Sequence, residues 1–203
     1  MDTSETRLVL LTIGHSTRTR ETFIRLVQAH GVKWVADVRT VPRSLRHPQF
    51  NRETLPDTLK AVSIGYVHMA GLGGLRRPRP DSPNNGWRNA SFRGFADYMQ
   101  TPEFEAHLRT LLERAHRQCL ALMCAEAVPW RCHRSLIADA LTLRGIQVEH
   151  ILTLTHRRAH VLTPWAQANG KHLTYPSGYE TPCGDIVSGE STDRGQEQGR
   201  MFA

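Results

Sequence analysis

Residues 120–141 read LALMCAEAVPWRCHRSLIADAL, which is an apolar run, a short loop and then a helical pattern. The apolar run from Leu120 to Met123 is short and continuous, as in a buried strand of a parallel sheet. The later apolar positions share one face of a helix that ends at Gly145, and they are Leu136, Ile137, Ala140 and Leu141. The stretch therefore predicts a strand, a turn and a helix in direct succession.

The reactive side chains of this stretch lie between the two predicted elements. Cys124 and Glu126 follow the strand, whereas Cys132, His133 and Arg134 are predicted in the first turn of the helix. Unpaired N–H groups and the helix dipole favour an anion there, and a thiol beside cationic side chains ionises more readily than a free cysteine. Cys132 is therefore the nucleophile candidate. The alternative is a small thiol used in packing, but the density of reactive residues favours a functional site.

Similar strand and helix patterns alternate along the rest of the chain. Further strands are predicted at Leu8–Ile13, Lys33–Val38, Tyr66–Met69 and Val148–Leu152. Further helices are predicted around the apolar stripes Phe23–Val27, Leu55–Val62, Phe92–Met99 and Phe104–Leu112. Strands that alternate with helices imply right-handed crossovers and a sheet covered on both faces. We expect a single α/β domain with a mostly parallel five-stranded sheet flanked by helices, in a Rossmann-like three-layer arrangement.

The expected strand order is 3-2-1-4-5. In that order the chain reverses direction between the first and fourth strands, so the carboxyl ends that carry His15 and Cys124 would lie side by side at a switch point. The domain is expected to span residues 1–176, with a last helix beginning at Thr163–Ala166. From residue 177 to 203 the sequence is rich in Gly, Ser, Thr and Glu without apolar periodicity, which predicts a flexible polar extension.

Several polar residues fall at or just beyond the predicted strand ends. The candidates for binding the substrate in this group are Ser16, Asp37, Arg39, Ser44 and His68, and His15 is a candidate proton carrier. Each has a structural alternative: His15 as a helix cap, Asp37 as the partner of Arg39, and His68 as a satisfied core histidine. The carboxyl ends of parallel strands share one edge of the sheet, so these residues are expected to converge on one pocket.

A basic segment follows the second and third predicted strands. Between Arg39 and Arg93 the chain carries many arginines and few acids, and we assign Arg76 and Arg77 to an anionic substrate. The chain as a whole has a net charge of +7 and a pI near 9.7, which suits a phosphate-bearing partner. The aromatic residues Phe50, Trp87 and Phe92 lie among these arginines, where they would stack on bases or belong to the core.

Several ordered motifs resemble one known family. They are Thr12-Ile-Gly-His15-Ser16, Asp37-Val-Arg39-x-x-Pro42-x-Ser44, Tyr66-x-His68, Leu72-Gly-Gly74, Cys124-Ala-Glu126, Cys132-His133-Arg134 and His150-Ile151. This set is similar to the domain-of-unknown-function family numbered 488, a widespread group of bacterial and archaeal proteins. The resemblance implies a single α/β domain with one shared site, and it implies no particular reaction.

The residues allow three functions. The first is an enzyme in which Cys132 is a nucleophile or redox thiol, assisted by Cys124. Glu126 would act as general acid and base, and His15 or His133 would carry the proton. Arg134 and other arginines would bind an anionic substrate such as a nucleotide or nucleic acid. The second is a zinc or iron site drawn from Cys124, Cys132, His15 and His68, with Asp37 or Glu126 as a further ligand. The third is a non-catalytic module that binds nucleic acid through the basic segment.

Other properties narrow the setting of this chemistry. Leu8–Leu11 is the longest apolar run near the N-terminus and is too short for a signal peptide or a membrane span. Four cysteines without a disulfide-like density indicate a reducing cytoplasm. The spacing of Cys124, Cys132 and Arg134 fits neither the phosphate loop of cysteine phosphatases nor the rhodanese loop. The oligomeric state is left open by the sequence.

Overall fold

The computed structural model describes residues 8–178, which fold around one six-stranded sheet. In chain order its strands are β1 (Val9–Gly14), β2 (Trp34–Asp37), β3 (Gly65–His68), β4 (Leu120–Cys124), β5 (Gln147–Ile151) and β6 (Arg157–Ala159). The order across the sheet is β3-β2-β4-β1-β5-β6. All neighbouring strands are parallel except β6, which pairs antiparallel with β5.

Five α-helices cover the two faces of the sheet. They are α1 (Arg20–Ala29), α2 (Leu55–Lys60), α3 (Ala90–Tyr98), α4 (Pro102–Ala115) and α5 (Arg134–Leu143). The apolar residues form two buried clusters, one with α1 and α2 and the other with α3, α4 and α5. Along β4, Leu120 and Leu122 enter one cluster while Ala121 and Met123 enter the other, because successive side chains of a strand point to opposite faces. The predicted three-layer α/β class is confirmed.

The predicted strand order is wrong in one respect. β4 lies between β2 and β1, not beyond β1, and all five of its residues are buried. A strand that is apolar at every position is most stable at the centre of the sheet, where both faces are covered. β1 and β4 are nevertheless neighbours, with Gly14 opposite Cys124, so the loops after these two strands begin side by side.

The C-terminal part of the described chain differs from the sequence-based expectation. The sheet has a sixth strand, β6, whose three residues are exposed and therefore carry no apolar signal. The predicted helix at Thr163–Ala166 is absent; a turn leads instead into a hairpin of β7 (Gln167–Asn169) and β8 (His172–Thr174). Gly170 has φ of +59° in the two-residue loop of that hairpin, a conformation that glycine adopts without strain.

Two further expectations concern the C-terminal extension and membrane-spanning helices. Of the predicted polar extension 177–203, residues 179–203 lie outside the described residues. Among residues 8–178, each helix is too short or too polar to span a lipid bilayer.

Candidate functional site

The loops at the carboxyl edge of the sheet enclose a pocket of about 610 Å³. We call it the thiol pocket, because Cys124 and Cys132 line it. Its walls come from the segments that follow β1, β2, β3 and β4 and from the start of α3. The predicted site residues that line it are His15, Ser16, Arg39, Ser44, Cys124, Glu126, Cys132 and His133. Four strand ends therefore contribute to one site.

Two thiols and one imidazole cluster at the base of the thiol pocket. The Nδ1 atom of His133 lies 3.9 Å from Sγ of Cys124 and 3.7 Å from Sγ of Cys132. The three atoms all lie within 4.8 Å of one another. The Nε2–H group of His133 donates to the carbonyl oxygen of Val38 at 3.1 Å, so the lone pair of Nδ1 faces the two sulfurs in the neutral ring.

The backbone between the two cysteines brings them together. Cys124 is the last residue of β4, and a 3-10 turn at Pro129–Arg131 reverses the chain before Cys132. Cys132 has an extended backbone and precedes His133, which caps α5. The prediction that Cys132 lies in the first turn of the helix is therefore wrong, because the proline-initiated turn takes up the residues that a longer helix would use.

The two thiols influence each other's ionisation. The hydrogen bond with Cys124 lowers the pKa of the Cys132 thiol well below its ordinary value, although burial acts in the opposite direction. The same hydrogen bond, with burial, raises the pKa of the Cys124 thiol. The neighbouring side chains of His133 and Arg134 further favour the Cys132 thiolate. Cys132 is therefore the thiol of the pair that ionises more readily.

Arg134 lies beneath the pocket rather than in its wall. Its side chain is fully buried and donates to Oγ1 of Thr12 at 3.2 Å and to the carbonyl oxygen of Glu126 at 2.5 Å. Within residues 8–178 it forms no ion pair with a carboxylate. A nearby negative charge offsets the cost of burying a cation, and the positive charge of Arg134 in turn lowers the pKa of the Cys132 thiol. Arg134, predicted to bind the substrate, therefore lies outside the lining of the thiol pocket and supports the loop and the thiols.

Asp37, Arg39 and His15 form a buried chain of hydrogen bonds behind the pocket. Both oxygens of Asp37 accept from Arg39, at 2.9 Å from Nε and 2.6 Å from Nη2. Nη1 of Arg39 donates to Nε2 of His15 at 3.1 Å, and Nδ1 of His15 donates to the carbonyl oxygen of Ser16 at 3.0 Å. Burial lowers the pKa of His15 to about 4, so the ring is neutral at pH 7.

These contacts change the roles expected of the strand-end residues. Both nitrogens of His15 are engaged, so the ring fixes Arg39 and stands apart from the two sulfurs. Asp37 does not line the pocket but holds Arg39, which does. His68 is also outside the pocket lining, since its Nε2–H group donates to the carbonyl oxygen of Arg39 at 2.9 Å. Among the described residues the thiols are joined by His133, not by His15 or His68.

Arg76 and Arg77, the arginines predicted to bind the substrate, lie outside the lining of the thiol pocket. Arg76 places its guanidinium 3.7 Å from the ring centroid of Tyr98 and donates to the carbonyl oxygen of Gly71, while Arg77 is exposed outside the lining. The arginines that do line the thiol pocket are Arg39, Arg43 and Arg131. We call these three the arginine rim. Sequence spacing alone did not separate them from the other arginines.

Two glycines bring the site loops into contact. A Cβ atom on Gly14 would lie 1.9 Å from the carbonyl oxygen of Glu126, and one on Gly74 would lie 2.5 Å from the ring of His133. The Gly73-Gly74 pair was visible in the sequence, but its partner across the fold was not. Ser16 has φ of +49°, a conformation that non-glycine residues adopt mainly at turns and functional sites. Close packing of backbone thus sets the shape of the pocket floor.

The fold and the site together define a three-layer α/β protein with a thiol and imidazole cluster at the carboxyl edge of its parallel sheet. The chain belongs to the family described as "Domain of unknown function DUF488", whose sequence profile matches residues 19–141. The matched segment runs from the start of α1 into α5 and includes both thiols of the pocket. No curated protein and no solved structure matches the chain significantly.

Proposed function

We propose that the chain is a metal-assisted enzyme that acts on an anionic substrate of the nucleotide or nucleic-acid class. Cys124, Cys132 and His133 would hold a zinc or iron ion at the base of the thiol pocket. The observation that carries the proposal is the cluster of their three ligand atoms within 4.8 Å. Three ligands of this type leave one coordination position for water or substrate, as in catalytic zinc sites.

The distances within the cluster support a tetrahedral ion. Zinc bonds of about 2.3 Å to sulfur and about 2.0–2.1 Å to nitrogen place tetrahedral sulfur and nitrogen ligands about 3.6 Å apart. The sulfurs of Cys124 and Cys132 lie 3.9 and 3.7 Å from Nδ1 of His133. Both distances are close to the value of about 3.6 Å, so the three side chains would need little movement to share an ion. The hydrogen bond from His133 to Val38 is the usual support of a metal-binding imidazole.

The side chains around the cluster suit an anionic substrate. Arg39 is held rigidly by Asp37, and Arg43 and Arg131 complete the arginine rim around the same pocket. A guanidinium fixed in this way binds phosphate or carboxylate oxygens at a small entropic cost. Glu126 is the acid in the pocket lining, and its carboxylate is exposed. Its exposure in the pocket supports the role of a general base that accepts a proton from a water molecule or a substrate hydroxyl.

A bound zinc ion would supply a Lewis acid that lowers the pKa of water and polarises a substrate oxygen. The remaining work falls to the protein: Arg39 and its neighbours orient the anion, Glu126 moves the proton, and Arg134 offsets negative charge from below. Free thiols of this kind persist in a reducing compartment, which supports a cytoplasmic location for the chain.

A second candidate is metal-free thiol chemistry at Cys132. The lowered pKa of this thiol and the adjacent Cys124 favour it, because the pair would supply a nucleophile and a second thiol that resolves a covalent intermediate. In this alternative the arginine rim has the same role. The two candidates differ in whether the sulfurs are coordinated in the resting protein.

Metal analysis of the purified chain separates the two. We expect about one equivalent of zinc or iron per chain in the wild type, by mass spectrometry of the digested protein. The variants Cys124→Ser, Cys132→Ser and His133→Gln should each lose most of it, because three protein ligands are the minimum for tight binding in such a site. Cys119→Ser is the matched control, since Cys119 lies outside the cluster, at the start of β4, and near the carbonyl oxygen of His30. A metal-free wild type that also fails to bind added zinc would leave the thiol candidate.

A further inference from the structure

A second cavity of about 320 Å³ lies on the other side of the turn that carries Cys132. We call it the aromatic cavity, because Trp87, Trp130 and Trp165 line it. The chain has 4 tryptophans, so all but Trp34 meet in this one place. Its volume is near the lower end of the range of about 300–1,000 Å³ that small-molecule sites occupy. Nothing in the proposed metal chemistry uses it.

One of the three indoles in the aromatic cavity, that of Trp130, is largely exposed, and the other two pack against the core. Trp130 is 51% exposed, which is unusual for so large an apolar side chain. The guanidinium of Arg158 lies 5.1 Å from its ring centroid, at a cation–π distance. Trp87 and Trp165 are half-buried and meet edge to face at 5.2 Å. Two indoles in mutual contact and a third, exposed one therefore line the same cavity.

The polar groups of the aromatic cavity are of two kinds, paired histidines and indole N–H groups without a protein partner. His150 donates from Nε2 to Nδ1 of His160 at 3.1 Å, and His160 donates from Nε2 to Asp139 at 2.8 Å. These histidines are therefore already satisfied. The indole N–H groups of Trp87 and Trp165 are buried and find no acceptor within residues 8–178.

The charge at the surface of the cavity favours an anionic ligand over a cationic one. Of the described residues that line it, none is a carboxylate, and Arg158 provides a positive charge at its surface. Aromatic cages for ammonium groups need carboxylates or electron-rich rings without a competing cation. A planar ring that carries acceptor atoms and lies next to negative charge fits this surface, and a nucleobase of a nucleotide has both properties.

The aromatic cavity and the thiol pocket share a wall. Pro129 and Trp130 line the cavity, and Arg131 and Cys132, the next two residues, line the thiol pocket. A ligand that lies across this turn would present a base on one side and its phosphate to the arginine rim on the other. The 3-10 turn at Pro129–Arg131 is thus a divider between two parts of one extended site.

We propose that the aromatic cavity binds the nucleobase of the substrate. This inference rests on the proposed function for the position of the phosphate, and it assigns the base to Trp130, Trp87 and Trp165. The shared chemistry of a free nucleotide and of single-stranded nucleic acid is the base itself, so both are tested.

Calorimetric binding to the full chain provides the test. The probes are adenosine, adenosine monophosphate, ribose 5-phosphate and two oligonucleotides of equal length, one with bases and one abasic. We expect adenosine and adenosine monophosphate to bind saturably, and ribose 5-phosphate to bind much more weakly than adenosine monophosphate. Trp130→Ala should weaken adenosine binding roughly 5- to 150-fold, the range expected for loss of one base–aromatic stack. Trp34→Ala, which removes a tryptophan outside the cavity, should leave it unchanged.

The outcomes separate this inference from the metal proposal. If Cys124→Ser removes the metal and adenosine still binds in a Trp130-dependent manner, the nucleobase site is supported. The same holds if the wild type proves metal-free. If adenosine does not bind at millimolar concentration, or binds equally well to Trp130→Ala, the inference is overturned whatever the metal content. Tighter binding of the oligonucleotide than of the mononucleotide would assign the site to nucleic acid, and equal binding would assign it to free nucleotides.

Discussion

His133 shows how a single side chain connects the backbone of this fold to its chemistry. Its Nε2–H group is committed to the carbonyl oxygen of Val38, the residue after β2, and its Nδ1 atom faces both sulfurs. The ring also packs edge to face on Phe95 at 5.2 Å. The imidazole is therefore fixed in tautomer and in orientation before any ligand arrives, which is the requirement for a metal ligand.

At the residue scale, the reactivity of Cys132 depends on whether a metal ion holds it. We expect Cys132 to resist iodoacetamide in the metal-loaded protein. After removal of the metal by a chelator it should label faster than Cys119 at pH 6–7, because its pKa is lowered chiefly by the Cys124 hydrogen bond while burial raises the pKa of Cys119. Mass spectrometry of labelled peptides measures both sites in one sample. Equal labelling of Cys132 before and after chelation would count against coordination.

The arginine rim makes a second prediction at the same scale. Replacement of Arg43 and Arg131 by glutamine should weaken oligonucleotide binding and reduce its salt dependence. The slope should change by about 0.7 for each phosphate of a single strand that the protein no longer neutralises. Arg79→Gln is the control, because Arg79 pairs with Asp81 on the surface outside the thiol pocket. Fluorescence anisotropy at several salt concentrations gives the slopes. An effect in the control as large as in the double variant would show that overall charge, not the rim, attracts the ligand.

At the element scale, the sequence predicts what periodicity encodes and misses what tertiary contacts decide. The uninterrupted apolar run of β4 and the helical stripe of α5 correctly indicated the strand–turn–helix at the centre of the site. The 3-10 turn at Pro129–Arg131 shifted Cys132 out of the helix, because a proline can begin a short turn as well as a helix. β6 has no apolar pattern and exists only through pairing with β5.

The site residues divide in the same way. Proximity of Cys124 to the β1 loop followed from adjacent parallel strands and could be predicted. That His133 rather than His15 or His68 joins the thiols could not, because ring orientation depends on the Val38 carbonyl and on contacts across the sheet. Likewise the partner of a buried arginine is not readable from one sequence.

The loop after β3 packs Gly74 against the ring of His133. Gly74→Ala should displace His133, since the added Cβ would lie 2.5 Å from its ring, and should reduce metal content with little change in secondary structure. Gly71→Ala in the same loop is the control, because the atoms nearest its Cβ belong to the ring of His107, a partly exposed side chain that can move. Metal analysis and circular dichroism of both variants are compared. If Gly74→Ala keeps a full equivalent of metal, His133 is not a ligand.

Across the whole molecule, a buried series of hydrogen bonds runs from beneath the thiol pocket to the aromatic cavity. Arg134 donates to Thr12, Thr12 to His150, His150 to His160, and His160 to Asp139. Each hydrogen bond in this series is donated in the direction away from Arg134, so one set of histidine tautomers is consistent with all four bonds. Loss of one member would leave its neighbours unpaired, a cost of about 1–3 kcal/mol for each group.

His150, one member of this series of hydrogen bonds, predicts that acid destabilises the folded state. Burial lowers the pKa of His150 to about 3 from its ordinary value of 6.5, so between these pH values the unfolded chain binds a proton at this residue that the folded chain does not. Stability should therefore be undiminished by His150 above pH 6.5 and should fall as the pH drops toward 3, by about 1.4 kcal/mol per pH unit at most. Urea unfolding at several pH values measures the slope.

The matched variant for that measurement is His150→Gln. It should be less stable than the wild type at pH 7.5, because the glutamine replaces a ring that bridges Thr12 and His160. Its free energy of unfolding should fall less steeply between pH 6.5 and 4. Because the titrating group is absent, the variant should bind about one proton fewer on unfolding. Parallel curves for the two proteins would mean that His150 is not the group responsible.

Cys124, Cys132 and His133 are proposed to hold one metal ion, and X-ray absorption at the metal edge measures its neighbours directly. We predict two sulfur neighbours at about 2.3 Å and one or two nitrogen or oxygen neighbours at about 2.0–2.1 Å in the wild type, and one sulfur fewer around the metal that Cys132→Ser takes up when zinc is added in excess. A shell of nitrogen and oxygen alone, or of four sulfurs, would contradict coordination by these three residues, and so would a spectrum unchanged by Cys132→Ser.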